Sequence, residues 1–183
     1  MTVHIALLRA VNVAGHGSVG MGVLRTFFED LGFAGARTLL QSGNVVFQSG
    51  SPSDPAIERR LETEAEKRLG LHTTFFVRAA AEWEALIAGN PFPDQAAHDP
   101  SHLVAMCLKV APRAAALTAL QAAIKGRELV RADGGRHVYI TYPDGIGRSK
   151  LTAAVIEKAL GSAGTARNWN TVLKLAAMTE QPA

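Results

Sequence analysis

Four short polar segments of this sequence carry residue types that bind anions or orient ligands. They are Arg9 to Asn12, Gln41 to Asn44, Gly145 to Lys150 and Arg167 to Asn170. In the third segment two glycines permit close backbone approach, Ser149 is suited to cap a following helix, and Arg148 and Lys150 supply positive charge. This combination predicts a site for an anionic ligand.

The side chains expected to contact such a ligand come from all four segments. Arginine and lysine would hold its charge, while serine and asparagine would fix its orientation. The candidates are Arg9, Asn12, Ser42, Asn44, Arg148, Ser149, Lys150, Arg167, Asn168 and Asn170. The third segment lacks the full spacing of a P-loop, so helix capping alone also accounts for Ser149 and Lys150.

Metal and nucleophilic chemistry have weaker support. His98 and His102 have the spacing of a zinc pair, but Pro100 would disrupt the helix that such a pair needs, so we expect neither a metal nor a cofactor. Ser42 and Ser149 have no evident His and Asp partners in the local sequence, a triad assembled through space stays open, and no catalytic residue is assigned. Cys107 lies in an apolar run and is predicted to be a buried thiol. A single cysteine also favours a reducing, cytoplasmic compartment.

Apolar periodicity predicts the elements of the first half. An apolar strand precedes a helix with Leu24, Phe27, Phe28 and Leu31 on one face, ending at Gly32. A hairpin turns at Ser42-Gly43-Asn44, and Asp54-Pro55 begins a second helix that ends at Gly70. A further strand and a short helix around Trp83 complete the order β-α-β-β-α-β-α.

The same order returns after a proline-rich connection. A strand begins at His102, a hairpin surrounds Asp133-Gly134-Gly135, and a helix ending at Gly161 leads to a second tryptophan helix at Trp169. The sequence therefore predicts an α+β fold of two ferredoxin-like (βαββαβ) halves made by internal duplication. The predicted boundaries are 1–92 and 101–183, with 93–100 as a linker.

Four motifs in this order resemble one protein family. The runs Leu7 to Val13, Gln41 to Phe47, Gly145 to Thr152 and Ala166 to Val172 are similar to the domain of unknown function 1697 family, which is mainly bacterial. The resemblance implies a fold of two ferredoxin-like halves and no established activity. Family members often carry Gly where this chain has Ala10 and Lys near His16, which weakens Arg9 to His16 as a phosphate contact.

Charge is distributed unevenly along the 183 residues. Residues 1–94 carry 8 Lys and Arg against 10 Asp and Glu, whereas residues 95–183 carry 11 against 6. A basic second half is compatible with an anionic ligand or a nucleic acid, and also with an ordinary solvated surface. No apolar run approaches the length of a membrane helix, so we expect no membrane partner.

Three functions satisfy these patterns. The first is a site, catalytic or not, for a small anionic or phosphorylated ligand between or beside the halves. The second is RNA binding through Tyr139 and Tyr142, although the matching sheet motif is absent. The third is a non-catalytic scaffold or oligomerisation protein, of unassigned oligomeric state. The first half has Ala80 and Ala81 before Trp83, so Arg167 and Asn168 suggest an adapted second half, in which Arg167 and Arg148 would meet in one cavity.

Overall fold

Two four-stranded antiparallel sheets form the framework of this mixed α+β chain. The computed structural model describes residues 1–10, 18–50 and 54–180. Within those residues the chain forms eight strands, seven α helices and two short 3-10 helices. It divides into two compact units, Met1–Ala85 with Lys174–Ala183 and Leu86–Leu173, and both internal boundaries fall inside helices.

The first unit builds its sheet in the order β2-β3-β1-β4. The elements of this part of the chain are β1 Thr2–Leu8, α1 Met21–Asp30, β2 Ala34–Leu39, β3 Asn44–Ser49, α2 Asp54–Leu69, β4 Phe75–Ala79 and α3 Ala80–Ala88. Helices α1 and α2 bury their apolar faces against one face of the sheet. Phe28 of α1 lies at the centre of this core, with its ring centroid 5.0 Å from that of Phe47.

The second unit has the corresponding sheet order, β6-β7-β5-β8. This part of the chain contains α4 Pro93–His98, a 3-10 turn Pro100–His102, β5 Leu103–Leu108, α5 Ala114–Ala123, β6 Leu129–Ala132, β7 His137–Thr141, a 3-10 turn Ile146–Arg148, α6 Ala153–Leu160, β8 Gly164–Asn168 and α7 Trp169–Thr179. Its core joins α5 and α6 to one sheet face through residues such as Leu120, Ile156 and Ile140.

Helix ends and turns agree with the glycine pattern of the sequence. Gly32, Gly70 and Gly161 follow α1, α2 and α6 with φ values of 80°, 61° and 66°. Gly43, with φ 69°, lies in the turn between β2 and β3. These left-handed conformations are easily adopted only by glycine, so they mark the ends of elements from local sequence alone.

The proline-rich connection differs from the irregular linker that the sequence predicts. Pro93–His98 forms a short helix, with proline in its first turn. Proline is compatible with that position because the first-turn amides have no acceptor within the helix. The prolines therefore begin a helix here, although Pro100 ends its continuation and starts the following 3-10 turn.

Buried residues include several that the sequence assigns to the core. Trp83, Cys107 and Trp169 are all buried. The structure thus confirms Cys107 as a buried thiol and both tryptophans as packing residues. Among the described helices, none is both long enough and apolar enough to cross a membrane.

Glutamate side chains accept hydrogen bonds from backbone amides on the open edge of β4. Glu62 accepts a hydrogen bond from the Phe75 amide at 3.0 Å, and Glu58, one turn earlier on α2, accepts from the Val77 amide at 2.7 Å. Arg78 is completely buried, and its guanidinium lies 3.5 Å from Glu58 and 3.3 Å from Glu82. Glu58 therefore supports both the strand edge and a buried charge.

We expect Glu58→Ala to lower the free energy of unfolding by about 3–5 kcal/mol, because it leaves the Arg78 charge short of a buried partner. Glu64→Ala is the matched control, since Glu64 lies on the same helix and pairs with the exposed Arg68. Urea denaturation should show a much smaller loss for that variant. Equal losses for the two substitutions would contradict the role assigned to Glu58.

Candidate functional site

A cavity of about 460 Å³ lies in the second unit, beside α5 and the segment that leads into α6. Leu120, Ile124, Leu151 and Val155 contribute apolar surface. The polar lining residues are Lys125, Glu128, Asp144, Arg148, Ser149 and Lys150. Three of the predicted site residues, Arg148, Ser149 and Lys150, are therefore brought together here.

Both carboxylates of the cavity are occupied by partners. Arg127 donates to Asp144 through Nε at 3.1 Å and through a second, shorter contact, and this pairing holds the pKa of Asp144 below its usual value. The Ser149 hydroxyl donates a short hydrogen bond to Glu128. The negative charges of the cavity are thus tied to neighbouring side chains.

The three cations of the cavity, unlike its two carboxylates, form no side-chain hydrogen bond in the described part of the chain. Lys125, Arg148 and Lys150 are all exposed. Within the described residues, none of these three side chains forms a hydrogen bond or an ion pair. The cavity therefore combines three exposed cations with apolar lining residues, and this arrangement suits an anionic group attached to an apolar portion.

The Gly145 to Lys150 backbone differs from the predicted anion-binding loop. The Arg148 amide donates to Gly145 O at 3.2 Å and the Ser149 amide to Ile146 O at 3.3 Å, so these two donors are engaged within the segment. Side chains, rather than these amides, are left to attract a ligand.

The predicted cap position is also wrong. Helix α6 begins at Ala153, and Thr152 is its cap, accepting from the Val155 amide at 3.4 Å. Ser149 instead accepts a hydrogen bond from the Leu151 amide at 3.0 Å and closes the preceding turn. The sequence could not separate these roles because Ser and Thr three residues apart are both good caps.

The Arg167 to Asn170 segment forms the end of β8 and the start of α7. Arg167 is partly buried and donates to Thr165 Oγ1 at 2.9 Å and to Ala166 O at 2.8 Å. Burial lowers its pKa to about 10. Asn168 accepts from the Thr171 amide at 3.0 Å and caps α7, while Asn170 is exposed. None of the three lines the cavity that contains Arg148.

The remaining candidates belong to the first unit. Arg9 is exposed at the end of β1, and its amide donates to Thr74 O at 3.0 Å. Asn44 is fully buried and donates from Nδ2 to Leu39 O and Ser42 Oγ, both at 2.9 Å, which braces the hairpin turn. Asn12 lies outside the described residues.

Residues 1–139 match the model of a family described as "Protein of unknown function (DUF1697)". The chain belongs to the DUF1697 family. The matched range includes the α5 side of the cavity, whereas Asp144 and the basic segment that follows lie beyond it. The resemblance seen in the sequence motifs is therefore confirmed.

A solved structure extends the DUF1697 comparison over nearly the whole chain. The conserved bacterial protein SP0830 from Streptococcus pneumoniae superposes with a TM-score of 0.77 at 20% identity, covering 97% of this chain and 98% of that one. At this identity the likeness shows a shared fold. No curated protein matches the sequence.

Sequence reasoning missed Lys125, Glu128 and Asp144 as cavity residues of this DUF1697 protein. Each had an ordinary local explanation, since Lys125 and Glu128 surround the glycine that follows α5 and Asp144 is part of a turn. The sequence signal that could have identified these residues is the number of charged side chains in two glycine-containing turns, at residues 125–128 and 144–150. The two histidines considered for zinc have separate partners, since His98 contacts Asp94 O and His102 contacts Asp99.

We expect the stability of the protein to fall as the pH rises from about 10 to about 12. Burial raises the pKa of Tyr142 from 10.0 to about 12, so this phenol ionises first in the unfolded chain and alkali favours unfolding. Its hydroxyl donates to Leu151 O at 3.0 Å. The measurement is denaturation of the protein and of the Tyr142→Phe variant across this pH interval. The variant should lose less stability as the pH rises, because it lacks the ionisable phenol. Identical pH profiles would contradict this expectation.

We expect Arg167→Ala to lower stability by about 1–3 kcal/mol, because Arg167 donates charge-assisted hydrogen bonds within its own strand segment. Since Arg167 does not line the cavity, anion affinity should change little. Chemical denaturation and phosphate titration of one protein preparation measure both quantities. Unchanged stability combined with weakened binding would instead place Arg167 in a ligand site.

Proposed function

We propose that this protein binds a small anionic or phosphorylated ligand in the cavity of its second unit. The observation that supports the proposal is the set of three cations, Lys125, Arg148 and Lys150, whose side chains form no hydrogen bond or ion pair among the described residues while both cavity carboxylates are engaged. An anion would supply the missing counter-charge at little cost in rearrangement.

The shape of the cavity narrows the ligand class. Leu120, Ile124 and Leu151 give one side an apolar surface, and the cations lie in the same cavity. A ligand with a phosphate or carboxylate joined to an aromatic or aliphatic portion would use both surfaces. Inorganic phosphate alone would use only the charged side and should bind more weakly.

Nucleic-acid binding has less support. Tyr139 and Tyr142 are buried, and their hydroxyls donate to Leu86 O and Leu151 O. Their rings are therefore not available for base stacking, which is the usual source of single-strand RNA recognition on such a sheet. We do not include RNA in the proposal.

We also propose that residues 1–92 and 101–183 are ferredoxin-like halves related by duplication. The equal sheet orders support this, as do the strand registers. Leu8 pairs with Phe75 in the first sheet and Leu108 with Gly164 in the second. Arg78 and Arg167 then occupy equivalent positions opposite Ile5 and Ala105. On this alignment both halves carry an arginine at this strand position, and Asn168 corresponds to Ala79. Arg167 is therefore not a feature of the second half alone, so it no longer supports ligand binding.

The reducing environment favoured by the single buried Cys107 leads us to propose a cytoplasmic location. No metal or cofactor is part of the proposal.

The binding proposal is tested with the double variant Arg148→Ala/Lys150→Ala. We expect it to weaken binding of an aryl or acyl phosphate by roughly tenfold, about 1.4 kcal/mol, because two cavity cations are lost. Calorimetry measures the affinity, and a screen by thermal shift against phosphate, sugar phosphates, nucleotides and short RNAs selects the ligand.

The control for this test is Lys158→Ala/Lys174→Ala, which removes the same charge from exposed positions outside the cavity. It should retain the affinity of the unmodified protein. Equal weakening by the two double variants would reveal non-specific attraction to a basic surface, and the proposal would be rejected.

A further inference from the structure

Asp99 and His102 form a side-chain pair just before β5, in the second unit. His102 Nδ1 lies 2.8 Å from Asp99 Oδ2. Gln95 donates to the same oxygen at 3.0 Å and Ser101 donates to Oδ1 at 3.1 Å, so three neighbours hold the carboxylate. The hydrogen bond from His102 is the main reason that the pKa of Asp99 lies below its usual value.

This arrangement determines which histidine nitrogen is reactive. An ionised carboxylate only accepts hydrogen bonds, so the proton of the neutral imidazole resides on Nδ1, and Nε2 keeps its lone pair. The side chain is 40% exposed. Within the described part of the chain, Nε2 forms no hydrogen bond. The pair therefore presents an oriented nitrogen nucleophile on a partly exposed side chain.

The space next to Nε2 belongs to the basic segment of the proposed ligand site. A Cβ atom built on Gly145 would lie 3.9 Å from His102 Nε2, an ordinary van der Waals distance, so Gly145 and the imidazole are neighbours. Gly145 has φ 87°, a conformation that favours glycine, so no side chain projects from this position towards the imidazole. Asp144 and Arg148, on either side of Gly145 in the chain, both line the cavity.

We propose that His102 Nε2 accepts a phosphoryl group from a small acyl phosphate, with Asp99 as the positioning residue. This inference rests on the proposed anion site, because the Gly145 to Lys150 segment supplies Arg148 and Lys150 to attract the donor. The Ser101 hydroxyl donates to the same carboxylate and so helps to hold Asp99 in place. Asp99 also balances the positive charge that develops on the imidazole.

The Nε2 lone pair forms a bond to phosphorus, while the bond from phosphorus to the acyl oxygen breaks and its electron pair leaves on the carboxylate. The Nδ1 proton stays in the hydrogen bond to Asp99. Water then attacks phosphorus, the P–N bond breaks, and Nε2 recovers its lone pair. The net reaction converts an acyl phosphate and water into a carboxylate, phosphate and a proton.

The experiment incubates the full chain with acetyl phosphate at neutral pH and measures an acid-labile, alkali-stable phosphoryl group by intact mass and ³¹P NMR. We expect the label on His102 Nε2. His102→Gln should abolish it, and Asp99→Asn should slow its formation by roughly tenfold or more. His98→Gln is the matched control, since His98 contacts only Asp94 O, and it should label normally.

Two results would overturn the inference: no label above that of His102→Gln, or a label that maps to His98 or another residue. Circular dichroism and thermal unfolding of each variant establish that it is folded. The outcome is distinguishable from the binding proposal. Phosphate binding that is lost in Arg148→Ala/Lys150→Ala, without any label on His102, rejects phosphoryl transfer and leaves the anion site in place.

Discussion

The pairing of each central strand with two antiparallel neighbours is the constraint on which the rest of the structure depends. β1 lies between β3 and β4, and β5 lies between β7 and β8. Residues Ile5–Leu8 and Leu103–Leu108 are buried throughout, so their amides and carbonyls need partners on both sides. Helices must then cover one face of each sheet. The ends of the strands determine where the loops with the polar segments lie.

The edges of the sheets show how this constraint extends to charged residues. Helix α2 places Glu58 and Glu62 along β4, and in the second unit Glu157 of α6 accepts from the Gly164 amide at 2.7 Å. These carboxylates occupy edge donors that could otherwise pair with another chain. The buried Arg78 is matched by Glu58 and Glu82, whereas the cations of the second-unit cavity are exposed.

The segment from Gly145 to Lys150 connects the two functional inferences. It supplies Arg148 and Lys150 to the cavity, and its first glycine lies beside His102 Nε2. The short turn Pro100–His102 and the strand after it are held to this region by the hydrogen bond from the Tyr142 amide to His102 O, at 2.8 Å. On the two proposals, the ligand site and the oriented imidazole would lie on neighbouring turns of the second unit, which would combine recognition with reactivity.

Local patterns determined the elements of this protein but not the partners of its polar side chains. The apolar stripe Leu24, Phe27 and Phe28 and the glycines after α1, α2 and α6 define helices through contacts between chain neighbours, and these predictions are confirmed. By contrast, the cavity joins Lys125 and Glu128, from the turn after α5, to Arg148, from the turn before α6. Only tertiary packing brought them together and placed Arg167 outside the cavity that Arg148 lines. Packing also determined that the Ser149 hydroxyl donates to Glu128 and does not cap a helix. Helix periodicity and turn chemistry act within a few residues, whereas the position of a side chain in a site depends on how distant strands and helices pack.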